Sequence, residues 1–216
     1  SVRDFALSAL AAAGVADGDE RLRTDPALWR GAAAPGRLGD SRKARTEFEA
    51  RYGAKPDLYG KVGVVNWGPK SKPLPKSSYD FILTARSIHG WMGTPGMLEK
   101  TFREFHDALK PGGILAVEQH RANPGPQDPT AKSGYVTEAY VIEQAEKAGF
   151  KLAGRSEINA NAKDTKDHPF GVWTLPPALR STAYGSEREK APTFDRSKYI
   201  AIGESDRMTL KFVKEK

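Results

Sequence analysis

From residue 41 onward, short apolar runs of strand length alternate with amphipathic runs of helical period, and this alternation restricts the chain more than any other feature. Val62 to Val65 and Tyr79 to Thr84 read as buried strands, Ile114 to Val117 as a further strand, and Phe150 to Ala153 can form another. Ser41 caps a helical run in which Ala44, Phe48 and Tyr52 fall four apart and Gly53 closes it. Thr94 before Pro95 opens a second, with Met97, Leu98, Thr101, Phe102, Phe105 and Leu109 on one face and Pro111-Gly112-Gly113 as its stop. Thr137 caps a third, ended by Gly149. Met208 to Val213 alternates strictly and predicts an antiparallel or edge strand that closes the sheet. Helix, strand, strand, helix, strand, helix, strand, long segment, strand is the order of an α/β fold with helices on the faces of one sheet.

Two stretches stand apart from this pattern. Residues 1–40 hold an alanine-rich helical run, Asp4 to Ala13, and an aperiodic glycine, alanine and proline stretch from Gly31 to Gly39, so they read as an irregular and helical segment ahead of an α/β domain over 41–216. Residues 158–196 are polar and proline-marked, too long for a structureless connection, and read as an insertion or lid.

The 216 residues contain no cysteine, which removes disulfides, thiolate nucleophiles and zinc-thiolate or iron-sulfur sites. No run approaches eighteen apolar residues, so no membrane span is expected. A soluble chain, cytoplasmic or exported after loss of a signal, is compatible with this, and a homo-oligomer stays open. The basic excess is steepest where Lys55, Lys61, Lys70, Lys72 and Lys76 face Asp57, around Trp67. Such a stretch is either a phosphate-binding face or a solvated loop, and neither an arginine cluster nor a zinc-finger spacing supports nucleic acid.

In an open α/β sheet the ligand crevice lies beyond the carboxyl ends of the strands. There the sequence offers Asn66 and Trp67, then Ala85, Arg86, His89 and Trp91, then Glu118, Gln119, His120 and Arg121. Arg86 and Arg121 have the planar fork that clamps a carboxylate or phosphate. His89 and His120 titrate near neutral pH and are candidate proton acceptors, while Trp67 and Trp91 suit stacking on a flat ring. His106 belongs to a helix, and His168 lies in the long segment, from which it could reach a site. The four histidines show no short metal-ligand spacing, so no metal is expected. Neither a serine-hydrolase elbow nor a phosphate-binding glycine-lysine loop is present.

Ser78-Tyr79-Asp80-Phe81-Ile82-Leu83-Thr84-Ala85-Arg86 followed by Ser87-Ile88-His89-Gly90-Trp91-Met92 resembles the fourth strand and active-site loop of class I S-adenosylmethionine-dependent methyltransferases. Leu109-Lys110-Pro111-Gly112-Gly113 resembles that family's turn into the fifth strand. Glu118-Gln119-His120-Arg121, Gly134-Tyr135-Val136, Asp164 to Pro169, Gly171 to Pro177 and Asp206 to Leu210 resemble a bacterial group of small-molecule enzymes within it. The resemblance implies a Rossmann-like sheet with a closing antiparallel strand. It also implies S-adenosylmethionine as cofactor and methyl transfer to a small molecule. Arg86, His89 and His120 become the catalytic candidates, and Asn66, Trp67, Ala85 and Arg86 the cofactor-binding ones. The family's glycine-rich loop after the first strand and acidic residue after the second are not recognisable before Ser41, so the N-terminal part reads as truncated or degenerate. A noncatalytic methyltransferase-like binding domain and a phosphate-backbone binder are the alternatives.

Overall fold

A computed structural model of the chain describes residues 46–59, 67–182 and 194–215. The expected helix Asp4 to Ala13, the glycine stretch Gly31 to Gly39, the strand Val62 to Val65 and Asn66 lie outside the described residues. The described end of the first amphipathic run turns as a π-helix over Glu49–Gly53, with the Phe48 and Tyr52 rings 4.7 Å apart, and a single turn α1 (Pro56–Tyr59) follows.

Strand β1 (Tyr79–Ala85) leads through the one-turn helix α2 (Ile88–Met92) into α3 (Met97–Ala108), and β2 (Leu109–His120) starts at once. Then come α4 (Glu138–Lys147), β3 (Phe150–Ser156), α5 (Ser197–Ile202) and β4 (Arg207–Lys214). The sheet order is β1-β2-β4-β3, with β1 and β2 parallel and β4 antiparallel to both β2 and β3. The closing strand is therefore antiparallel as expected, but it is an inner strand, and β3 lies at the edge.

Apolar spacing explains the helical face. Met97, Leu98, Thr101, Phe102, Phe105 and Ala108 are all buried, in a core that also takes Val141 and Ala145 of α4 and Leu115, Val117, Leu210 and Phe212 of the sheet. Phe102 is 1% exposed, a burial worth about 1.5–3 kcal/mol. Phe81 and Ala116 form a second, smaller cluster with Leu83 and Ile114.

Two boundaries differ from the sequence reading. Leu109 belongs to β2 rather than to the α3 face, and Pro111-Gly112-Gly113 lie within β2 as a bulge: Tyr79 pairs with Leu109, yet Phe81 pairs with Ile114. Gly112 sits at φ +81, and a Cβ on Gly113 would meet the Lys110 carbonyl at 2.8 Å, so glycine is needed at both. At its other end β2 continues past Val117, because the backbones of Glu118, Gln119 and His120 pair with Thr209, Met208 and Arg207. These three polar residues are strand, not loop.

Candidate functional site

The site is built where β1 and β2 end and β4 begins, since an antiparallel β4 brings its first residues to the same edge. The Arg86 N–H donates to the Glu118 carbonyl at 2.8 Å while Arg86 takes φ +51, so the chain leaves the sheet sharply and enters α2. Ser87 Oγ donates to the Ala85 carbonyl and steadies the turn. A pocket of about 340 Å³ results, lined by Ala85, Arg86, His89, His120, Glu204, Ser205 and Arg207 together with Val172, Trp173 and Leu175 to Ala178.

The structure brings together four of the expected residues, Ala85, Arg86, His89 and His120. Arg86 is exposed at this pocket, and among the described residues its side chain has no ion-pair partner. The His89 and His120 rings lie 5.5 Å apart, and Trp173 meets His89 edge-on at 5.7 Å. His120 Nδ1 and Ser205 Oγ are 2.6 Å apart. Burial, the neighbouring imidazole of His89 and the charges of Arg86 and Arg207 push the His120 pKa down to about 3. Burial lowers that of His89 as well, against the Gln119 hydrogen bond and with a smaller push from Arg86. Both rings are neutral at physiological pH.

Beneath the pocket Glu118 is completely buried, and Arg207 Nε lies 3.0 Å from its Oε1. The N–H is not aimed along that line, so both carboxylate oxygens lack a hydrogen bond among the described residues. Burial raises the Glu118 pKa against the pull of Arg207 and Arg86. Gln119, also fully buried, sits between His89 Nδ1 and the Gly134 carbonyl.

Other expected residues are placed elsewhere. Trp67 lies on α3, stacked on Phe105 at 5.8 Å, edge-on to Trp91 and donating to Glu104 at 2.6 Å, outside the walls of this pocket. Trp91 is a core residue. Arg121 is taken up by Glu157 and Asp206, and so is not a free clamp. Lys55, Lys70, Lys72 and Lys76 are exposed, and Lys76 pairs with Asp107. His168 donates its Nε2–H to the buried Asp164 carboxylate, 2.8 Å away, rather than reaching the pocket.

Asp164 is a residue whose role the sequence did not announce. It accepts from Tyr135 Oη at 3.0 Å and from the Asp206 backbone N–H at 2.8 Å. Asp206 in turn holds Arg121 and Lys166; burial opposes its ionisation, but those partners keep its pKa down at about 2. This network fastens residues 159–168 to the start of β4 and so fixes Ser205 and Arg207. Among the described residues no cluster of three or more histidines and carboxylates is placed to hold a metal, and no helix is long and apolar enough to cross a membrane.

No protein-family model and no curated protein matches the chain. Solved structures do. The cyclase SpnF superposes with a TM-score of 0.52 at 15% identity over 80% of this chain and 64% of SpnF. The chain thus spans less than two thirds of that protein. The sheet and its helices have the Rossmann-like architecture of the methyltransferase fold. An S-adenosylmethionine-dependent methyltransferase from Mesorhizobium loti (TM-score 0.42, 14% identity, 78% of this chain and 76% of that one) is also similar. So is a SAM-dependent methyltransferase from Methanosarcina mazei (0.44, 14%, 83% and 79%).

Proposed function

We propose that this chain takes part in S-adenosylmethionine-dependent methyl transfer to a small molecule held in the pocket over β1 and β2. One observation carries the reading: Arg86, a guanidinium with no ion-pair partner among the described residues, and two neutral imidazoles, His89 and His120, converge at the parallel strand ends of a methyltransferase-like sheet. The strand-end crevice is where such sheets place ligands.

The described residues include no glycine-rich turn from a strand into a helix; Gly31 to Gly39 and Asn66 lie outside them. When bound, the cofactor supplies an electrophilic methyl group. The residues present serve the acceptor substrate. Arg86 attracts and orients an anionic group, Val172, Trp173 and Leu175 give an apolar wall, and the uncharged histidines offer hydrogen bonds without repelling a cationic neighbour.

A noncatalytic binding domain is the second reading, favoured by His120: a pKa of about 3 makes it a weak proton acceptor. Calorimetry of the full chain with S-adenosylmethionine and S-adenosylhomocysteine separates the two. Binding of both supports the enzyme; a folded sample that binds neither supports the noncatalytic domain. Arg86→Ala, His89→Gln and His120→Gln, assayed singly for turnover, complete the test, and unchanged rates in all three overturn the assignment.

A further inference from the structure

Gln119 belongs to the core-facing parity of β2, with Leu115 and Val117, and is 0% exposed. A buried amide here is costly unless it is bonded, so its partners are informative. Its Nε2 lies 3.1 Å from the Gly134 carbonyl oxygen and 3.1 Å from His89 Nδ1. A carbonyl oxygen accepts and never donates, so the nitrogen end of the amide must face Gly134. The reverse orientation would set two acceptor oxygens about 3 Å apart in a dry environment, where neither could be relieved by water. The amide nitrogen has two hydrogens; one serves Gly134 and the other points to His89.

Gly134 is itself immobilised. It has φ +82, donates to the Ala131 carbonyl at 2.8 Å, and packs so closely on Val172 that a Cβ would come within 2.5 Å of Val172 Cγ1. The carbonyl that orients the amide is therefore fixed by the same segment that walls the pocket.

We propose that Gln119 is a positioning residue that holds His89 as its Nε2–H tautomer, so that His89 meets the substrate as a hydrogen-bond donor and not as a proton acceptor. A neutral imidazole has one donor and one acceptor nitrogen; with Nδ1 accepting from Gln119, the proton resides on Nε2. Among the described residues nothing else bonds the His89 ring, and His89 lines the pocket. A donor in the same pocket as the Arg86 guanidinium recognises a substrate oxygen rich in electrons, such as a carboxylate or phenolate. Gln119 does not appear among the pocket walls and acts through His89. The substrate class, though not the tautomer, rests on the pocket being the acceptor-substrate site.

Nitrogen-15 NMR of the histidine-labelled full chain at about pH 8, where imidazoles are neutral, tests this without any ligand. His89 is assigned by the signals lost in His89→Gln. The expected spectrum shows a protonated Nε2 and an unprotonated, hydrogen-bonded Nδ1. Gln119→Met, or Gln119→Asn if the former fails to fold, shifts both nitrogens toward the averaged values of a free imidazole. A wild-type His89 protonated at Nδ1 overturns the proposal, as does a spectrum unmoved by a folded Gln119 variant. Since the measurement needs no cofactor and no turnover, a failed cofactor-binding assay leaves it intact, and the two ideas fall separately.

Discussion

Arg207→Met removes the ion partner, 3.0 Å away, of a carboxyl group that has no exposed surface. Removing one member of a buried pair costs about 3–5 kcal/mol when the survivor stays charged. Glu118 has an escape, because burial already raises its pKa and protonation would neutralise it. Forcing a proton onto a group whose ordinary pKa is 4.5 costs about 1.4 kcal/mol for each pH unit above that value, which limits the penalty to about 3.4 kcal/mol at pH 7 and about 0.7 at pH 5. The lost contact between Arg207 and the exposed Glu204 adds less than about 1 kcal/mol. The sign follows: a folded-state pKa raised above the unfolded one means that stability falls as pH rises through that window, and the variant widens the window. Urea denaturation at both pH values should show a loss of up to about 3–4 kcal/mol at pH 7 and a much smaller one at pH 5, with a fall in Tm of up to about 16 °C in thermal unfolding at pH 7. Adding Glu118→Gln should restore most of the pH-dependent part. An equal loss at the two pH values, or no restoration in the double variant, would refute the reasoning.

Arg86→Gly relieves an L-residue at φ +51, so it should leave stability unchanged or raise it by up to about 1 kcal/mol while weakening binding of an anionic ligand; a destabilised variant contradicts this. NMR titration should find His120 uncharged from pH 8 down to about pH 4, and stability should decline as pH falls from about 6.5 toward 3, since the unfolded histidine takes the proton first; an apparent pKa near 6.5 is the contrary result. Gly171→Ala would place a Cβ 2.2 Å from the Ser133 carbonyl at φ +59, so a loss of at least about 1–3 kcal/mol is expected in thermal unfolding; a wild-type melt would count against the described path of Val172 to Ala178.

Helix α3 was legible because its apolar spacing is local: Met97, Leu98, Thr101, Phe102 and Phe105 are buried as their period requires. Leu109 has the same spacing but no helical backbone, since pairing with Tyr79 draws it into β2. Polar character hid the last three residues of β2, although Gln119 falls on the parity of Leu115 and Val117, and extending that period by one step would have flagged it. Arg207 had no such signal. It opposes His120 across two strands, 87 positions away, and nothing near either residue in sequence announces the pairing.

The convergence of Arg86, His89 and His120 was partly readable, because strands that alternate with helices run parallel and end at one edge. Arg121 could not be told from Arg86 by the same clamp chemistry: a free guanidinium and one held by Glu157 and Asp206 look alike until residues far along the chain are folded against it.

Periodicity and local turn chemistry by themselves determined the class of this protein, a mixed sheet with amphipathic helices, because apolar period depends on neighbours three or four residues apart. Which polar side chains are buried, which guanidinium is held by carboxylates and which imidazole nitrogen bears the proton were decided by tertiary contacts. Those properties depend on desolvation and on charges brought within a few ångströms from distant segments, and no local pattern encodes them.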